Sequence, residues 1–171
     1  MKRAVVNSSP LIYLAKACAL NLLLSIYTEV LIPLEVYREV VIKGLEKGFK
    51  DAIAVKKAVD SRQLSILEVS SREVERILRL FPCLDRGEAE VLALALAYKP
   101  CHVIIDDKLG RIAARMLGIE VHGTLYIITM AVRKGLISST KALELLNRLV
   151  VSGFRLSTEV YLEMRKRLEK L

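Results

Sequence analysis

Residues 84–124 constrain the fold of this chain more than any other stretch of its sequence. They read LDRGEAEVLALALAYKPCHVIIDDKLGRIAARMLGIEVHGT, and the pattern of apolar residues predicts a helix, a strand, a second helix and a second strand. The segment 91–98 is apolar on all sides, which is typical of a buried helix, and Lys99-Pro100 ends it. Strands that alternate with helices are joined by right-handed crossovers, which predicts a parallel sheet.

Acidic residues stand at the ends of these predicted elements. Asp106 and Asp107 follow the short strand of residues 102–105, and Glu88 lies in the first turn of the helix that opens at residues 85–87. In parallel sheets, ligands bind beyond the carboxyl ends of the strands. Asp106 and Asp107 are therefore the first site candidates.

The N-terminal segment shows the same arrangement of a strand followed by polar residues. Residues 2–6 predict a strand, and Asn7 comes directly after it. Ser8 or Ser9 is expected to cap the next helix, with Pro10 at its first position. Asn7 is thus also predicted at the carboxyl end of a strand, beside a helix N-terminus.

The whole chain is predicted to form one α/β domain. The pattern indicates five short strands and about eight helices, without repeats or linkers. A length of 171 residues is most simply a single domain. We expect its core at about residues 2–137 and two further helices at residues 138–171.

The composition favours a compact globule with a dense core, since 53% of the residues are hydrophobic and 27% are charged. No apolar run reaches the roughly 18 residues that a membrane span needs. Polar residues interrupt the apolar N-terminal segment, so it does not resemble a signal peptide. We therefore expect a cytoplasmic protein without a membrane partner. A chain this apolar is also expected to bury apolar surface in the interface of a homodimer.

The chain carries a formal net charge of +8, with basic clusters near residues 43–57 and in the C-terminal tail. This balance suits a polyanionic partner. A solvated charged surface, as in heat-adapted proteins, would give the same balance. Charge alone does not separate the two interpretations.

The three cysteines predict reduced, mostly buried thiols. Cys18, Cys83 and Cys101 form neither an even set nor a C-x-x-C pair. Cys101-His102 together with His122 could suggest zinc, but the close pairs of ligands expected in zinc sites are missing. The sequence therefore argues against a zinc site.

Four motifs, taken in order, resemble the PIN-domain superfamily. They are VVNSSPLIYLAK, IPLEVYREV, LDRGEAEVLALALA and VIIDDKLGRIAARMLGIEVHGTL, and they extend from about residue 4 to about residue 137. The last two are similar to the GEAEAIALA and DDxxGR stretches of the VapC-like branch. The resemblance implies a three-layer α/β/α fold with a parallel sheet. It also implies a Mg²⁺- or Mn²⁺-dependent ribonuclease, often the toxin of a toxin–antitoxin pair with a small antitoxin as partner.

The resemblance further implies a set of site residues. The four acidic positions of the family fall on Asn7, Glu39, Glu88 and Asp107, with Asp106 as an adjacent alternative, and the small hydroxyl falls on Ser8 or Ser9. Arg111, on the helix after the acidic pair, is the candidate for binding a substrate phosphate. Asn7 departs from the family pattern because an amide replaces a carboxylate.

The chemistry of these residues agrees with a divalent cation. Mg²⁺ and Mn²⁺ prefer oxygen ligands and retain several waters. Carboxylates crowded at one rim repel each other, and a divalent ion relieves that repulsion. Such an ion can activate a water against a phosphodiester and stabilise the leaving oxygen.

Each acidic residue also has a structural interpretation. Glu88 would interact favourably with the dipole of its helix, Asp106 or Asp107 could cap a helix, and Glu39 could be a solvated charge.

Neither a G-x-S-x-G motif nor a P-loop is present. The leading hypothesis for the function is a metal-dependent endoribonuclease that acts on single-stranded or loop RNA. The alternative is a non-catalytic PIN-like module with a degenerate metal site, which binds RNA or a protein.

Overall fold

One sheet of five strands forms the centre of the computed structural model, which describes residues 3–171. The strands are β1 (Arg3–Val6), β2 (Glu29–Pro33), β3 (Ser65–Leu67), β4 (His102–Ile104) and β5 (Glu120–His122). They lie in the order β3-β2-β1-β4-β5, and every neighbouring pair is parallel. The predicted five-stranded parallel sheet is confirmed. Lys2, part of the first predicted strand, lies outside the described residues.

Eleven α-helical segments accompany the sheet within residues 3–171. They are α1 (Ser8–Lys16), α2 (Leu20–Ile26), α3 (Leu34–Tyr37), α4 (Lys43–Glu46), α5 (Lys50–Asp60), α6 (Ser71–Leu80), α7 (Arg86–Ala97), α8 (Lys108–Met116), α9 (Thr124–Arg133), α10 (Ser139–Val151) and α11 (Thr158–Glu169). A π-helical turn at Arg38–Ile42 joins α3 to α4. The described chain therefore has ten separate helices, more than the roughly eight predicted.

The helices flank the sheet and give a three-layer α/β/α fold, as predicted. α7 packs against β1, β2 and β4, and α6 packs on α7. α1, α2 and α9 contact one another, α10 packs on α9 and α1, and α11 packs on α10 and α9. Leu145 and Leu149 of α10 and Leu168 of α11 belong to the same hydrophobic cluster as the strands. None of the helices within the described residues is long and apolar enough to span a membrane.

α7 is the buried central helix that its apolar sequence predicts. Asp85 is its N-cap and forms a capping box with Glu88, because each side chain accepts a hydrogen bond from the backbone N–H of the other. Every residue from Gly87 to Ala95 is buried, and burying a leucine such as Leu92 contributes roughly 1.5–3 kcal/mol. The capping box therefore sets where the helix starts, and core packing holds it.

One predicted helix start is wrong. The N-cap of α1 is Asn7 rather than Ser8 or Ser9, because the backbone of Asn7 is extended (φ −83°, ψ 169°) and Ser8 is already helical. The serine hydroxyls are bound to carboxylates instead, as described below.

Candidate active site

A cleft of about 1040 Å³ opens at the carboxyl ends of β1, β4 and β5. All of the site residues predicted from the sequence line it, namely Asn7, Ser8, Ser9, Glu39, Glu88, Asp106, Asp107 and Arg111. They come from the ends of two strands and from four helical segments. The parallel sheet therefore brings residues that are far apart in the chain to one edge.

Asp106 ties β4 to the start of α9. Its Oδ1 accepts a hydrogen bond from the backbone N–H of Thr124 at 2.8 Å, and its Oδ2 accepts from the Thr124 hydroxyl at 2.7 Å and the Ser9 hydroxyl at 3.3 Å. Burial raises the pKa of Asp106, although these hydrogen bonds and the charge of Arg111 act in the opposite direction. A Cβ at Gly123 would lie only 2.9 Å from Asp106 Oδ1, so the glycine permits this contact.

Asp107 caps α8 with one carboxylate oxygen. Its Oδ1 accepts hydrogen bonds from the backbone N–H groups of Leu109 at 2.7 Å and Gly110 at 3.0 Å. The capping interpretation of Asp107 is therefore correct for this oxygen. The side chain also lines the cleft, so capping and ligand binding by the second oxygen are compatible.

Glu88 is the most deeply buried carboxylate of the cleft, with 7% of its surface exposed. Burial is the main cause that raises the pKa of Glu88 to about 7, and the charges of Asp85 and Asp107 act in the same direction. α8 approaches this carboxylate closely at Gly110. A Cβ there would clash with Ile105 and would lie 3.3 Å from Glu88 Oε1. The fold thus holds a carboxyl group in a place where its charge is disfavoured unless a cation is present.

With metal removed by a chelator, the wild type is expected to lose stability relative to Glu88→Gln as the pH rises from about 4.5 to about 7. The folded protein keeps the Glu88 proton up to about pH 7, whereas the unfolded chain releases it near the ordinary pKa of 4.5. The folded state binds more protons in this window, so the free energy of unfolding decreases with pH. Thermal unfolding of both proteins in EDTA measures the effect, with Glu90→Gln as a control for losing a carboxylate from the same helix. A difference in melting temperature that stays constant across the window would contradict it.

Glu39 reaches the cleft from the π-helical turn between α3 and α4, and it is exposed. The Ser8 hydroxyl donates a hydrogen bond to Glu39 Oε2. π-helical turns often occur at functional sites, and no feature of the sequence predicted this one. Ser8 therefore orients a carboxylate instead of capping α1.

Asn7 leaves its side-chain amide available to the cleft. Its backbone N–H donates to the carbonyl oxygen of Ile104 at 3.0 Å, which holds the chain between β1 and β4. The residue is 8% exposed, and its side chain makes no capping hydrogen bond to α1. The Asn7 amide therefore takes no part in capping α1.

Basic side chains also line the cleft. Arg111 lines it together with Lys16, Arg155 and Arg167, and Nε of Arg111 is buried without a hydrogen-bond partner among the described residues. Sequence reasoning missed Lys16 and Arg155 and treated Arg167 only as part of a basic tail. Arg155 follows Phe154, whose ring packs on that of Tyr13 with ring centroids 5.0 Å apart, and no local signal reveals that contact.

A second group of ligand atoms lies beside the cleft. Side-chain atoms of His102, Glu120 and His122 all lie within 4.8 Å of one another, and His122 also lines the cleft. Within residues 3–171, no other three His, Cys, Asp or Glu side chains bring their ligand atoms so close.

The comparison with protein families agrees with this geometry. A family profile described as PIN domain matches residues 3–170, so the chain belongs to the PIN-domain family. PIN domains have a nuclease-type fold, generally use divalent metals and generally have RNA-related functions. A search of curated proteins found no match to this sequence.

Proposed function

We propose that this protein is a metal-dependent endoribonuclease that cleaves RNA in the cleft at the carboxyl ends of β1 and β4. The observation that carries the proposal is the convergence of Glu39, Glu88 and Asp107, from three separate elements, on one cleft that basic side chains also line. Membership of the PIN-domain family supports it, since such domains have a nuclease-type fold. The similarity of two motifs to the VapC-like branch makes a role as a toxin the narrower form of the same proposal.

Mg²⁺ or Mn²⁺ fits the side chains of the cleft. Asp107 Oδ1 and Glu88 Oε2 accept backbone hydrogen bonds at helix caps, which leaves Asp107 Oδ2 and Glu88 Oε1 as candidate ligands. Mg²⁺ commonly binds one or two carboxylates and keeps several waters, so three ligand atoms in close contact are not required. Glu39 and the amide oxygen of Asn7 provide further oxygen atoms at the rim. The raised pKa of Glu88 fits a site in which a cation stabilises the ionised form.

The residues of the chain have distinct roles in this proposal. A divalent ion held by these carboxylates would supply Lewis acidity for the attack of water on a phosphodiester. Ser8 orients Glu39 through its hydrogen bond. Asp106 holds the start of α9, since both of its oxygens accept hydrogen bonds, and Ser9 supports it there. Arg111 supplies positive charge for the phosphates of the substrate.

The substrate is expected to be single-stranded or loop RNA. Lys16, Arg155 and Arg167 line the cleft with Arg111, and such charges bind the phosphate backbone without regard to sequence. A small antitoxin protein, a homodimer and a cytoplasmic location stay predictions. The exposed apolar residues of α8, Leu109, Ile112 and Met116, follow a helical spacing and offer a surface for a protein partner.

A non-catalytic PIN-domain module is the second candidate function. Two observations favour it: an amide at position 7 replaces a charged ligand, and the carboxylates of the cleft do not form a close group of three within residues 3–171. Such a protein would bind RNA or a partner through the same cleft without cutting it. The metal requirement separates the two candidates.

The purified protein is expected to cleave a mixed RNA pool in millimolar Mn²⁺ and to leave it intact in EDTA. The reason is that the carboxylates need a cation before a phosphodiester can enter the cleft. Gel analysis of the products measures the effect, and Asp107→Asn protein purified in parallel controls for contaminating nuclease. Equal degradation in EDTA would refute the metal-dependent mechanism. Binding of RNA without cleavage would favour the non-catalytic module.

A further inference from the structure

We propose that His102, Glu120 and His122 form a binding site for a transition-metal ion of the Zn²⁺ type, separate from the acidic cleft. The proposal rests on the geometry of β4 and β5 and does not depend on nuclease activity. It reverses the expectation from the sequence, which argued against zinc because no close pair of ligands was visible.

The pairing of β4 with β5 brings the three side chains to one face of the sheet. His102 is the direct partner of Glu120, and Ile104 is the partner of His122. Residues two positions apart in a strand point to the same face, as do direct partners in neighbouring strands. The two strands therefore project two imidazoles and one carboxylate side by side.

The distances between these side chains match those between ligands of one metal ion. Nε2 of His102 lies 3.3 Å from Oε1 of Glu120, and Nε2 of His122 lies 3.0 Å from the same oxygen. With metal–ligand bonds of roughly 2.0–2.2 Å, neighbouring ligand atoms are roughly 3–3.5 Å apart. Two imidazoles and a carboxylate suit Zn²⁺ and similar ions, whereas Mg²⁺ prefers sites made entirely of oxygen.

Both imidazoles are held in place by aromatic neighbours. The Tyr27 hydroxyl lies 2.9 Å from Nδ1 of His102. A metal on Nε2 would leave the proton on Nδ1, which would then donate to the Tyr27 oxygen, as outer partners of metal-bound histidines do. The ring of His122 stacks on Tyr126, with centroids 3.6 Å apart and planes 9° from parallel.

The site is open to solvent on the side of its carboxylate. The side chain of Glu120 is 61% exposed, whereas those of His102 and His122 are 13% and 20% exposed. An ion could enter from this side and complete its coordination with water. Because His122 and Tyr126 also line the acidic cleft, an ion here would fix one wall of that cleft.

Imidazole ¹⁵N NMR of the full, untagged chain provides a direct test. The sequence contains 2 histidines, and both belong to the proposed site, so every imidazole signal reports on it. After removal of metals by a chelator, Zn²⁺ is expected to shift the Nε2 signals of both histidines until one equivalent has been added. Signals that do not move, or movement of one histidine alone, would overturn the proposal. Zinc bound only by the cysteines would leave the signals of both histidines unchanged.

Variants separate this site from the acidic cleft. His102→Gln and Glu120→Gln are each expected to weaken Zn²⁺ binding by about tenfold or more. Loss of a residue that only hydrogen-bonds to a metal ligand already weakens metal binding by about 10–100-fold. Asp107→Asn is the matched control in the acidic cleft and should bind Zn²⁺ as the wild type does. Competition calorimetry with a chelator measures the affinities, and circular dichroism checks the fold. Unchanged affinity in folded Glu120→Gln, or displacement of Zn²⁺ by equimolar Mg²⁺, would show that the ion binds elsewhere.

Discussion

Glu88→Gln and Asp107→Asn are each expected to reduce Mn²⁺-dependent RNA cleavage by about 100-fold or more. Loss of a residue that only hydrogen-bonds to a metal ligand already lowers metal affinity or activity by about 10–100-fold. Both substitutions remove a negative charge and almost no volume. The helix caps survive them, because the amide oxygen of the new side chain can still accept the backbone hydrogen bonds that the carboxylate accepts in the wild type. The loss should therefore concern the ion and leave the fold intact. Initial rates of cleavage at saturating RNA, together with circular dichroism, measure both properties.

Glu90→Gln is the matched control for this pair of variants. Glu90 lies on the same helix as Glu88 and is buried to a similar degree, with 8% exposed. Its carboxylate accepts hydrogen bonds from Arg86 and from the backbone of Glu35, and it does not line the cleft. Its substitution should leave the cleavage rate close to that of the wild type. Full activity in Asp107→Asn or Glu88→Gln would mean that the ion binds to other residues.

The sheet could be predicted because its strands are short apolar runs separated by helices. That pattern permits few arrangements other than a parallel sheet, and parallel sheets gather the residues that follow their strands. Asn7 and Asp107 were placed at one edge by this argument alone. Position in the sheet therefore follows from the sequence, even where the role of a side chain does not.

The hydrogen bonds of the cleft could not be predicted in the same way. Ser8 is bonded to Glu39, which is 31 residues away, and Ser9 to Asp106, 97 residues away. Local preferences favour serine as a helix cap, so the sequence alone assigned Ser8 or Ser9 to that role. In the folded chain these hydroxyls donate to carboxylates of the cleft instead of capping the helix, because the fold brings the two groups together.

The sequence pointed to His102 and His122 but argued against a zinc site, and it overlooked Glu120, for a related reason. Zinc motifs are recognised by ligands that are close in sequence, whereas His102 and Glu120 are brought together by the register of two strands. Only Glu120 and His122 are near each other in the chain, and a spacing of two residues is common by chance. A correct register between β4 and β5 would have been sufficient to find the group.

Asn7→Asp is expected to tighten Mn²⁺ binding and to raise the cleavage rate, while it lowers the stability of the metal-free protein. The side chain of Asn7 is 8% exposed and makes no capping hydrogen bond. A carboxylate at this position would add a like charge to a cleft that already contains Glu39, Glu88 and Asp107, which disfavours the empty site. A divalent ion would neutralise the same charge and gain a stronger ligand. The two effects have one cause, so they should appear together.

A Mn²⁺ titration of the melting temperature, followed by cleavage assays, measures both effects. In EDTA the variant should melt below the wild type, and its gain in melting temperature on addition of Mn²⁺ should be larger. For scale, a ligand at 100 times its dissociation constant stabilises the folded state by about 2.7 kcal/mol. Asn21→Asp is the matched control, since it adds the same charge at an exposed position of α2. If Asn7→Asp responds to Mn²⁺ as the wild type and Asn21→Asp do, residue 7 lies outside the metal site. The amide would then be no obstacle to catalysis, and the difference from the family pattern would no longer favour a non-catalytic module.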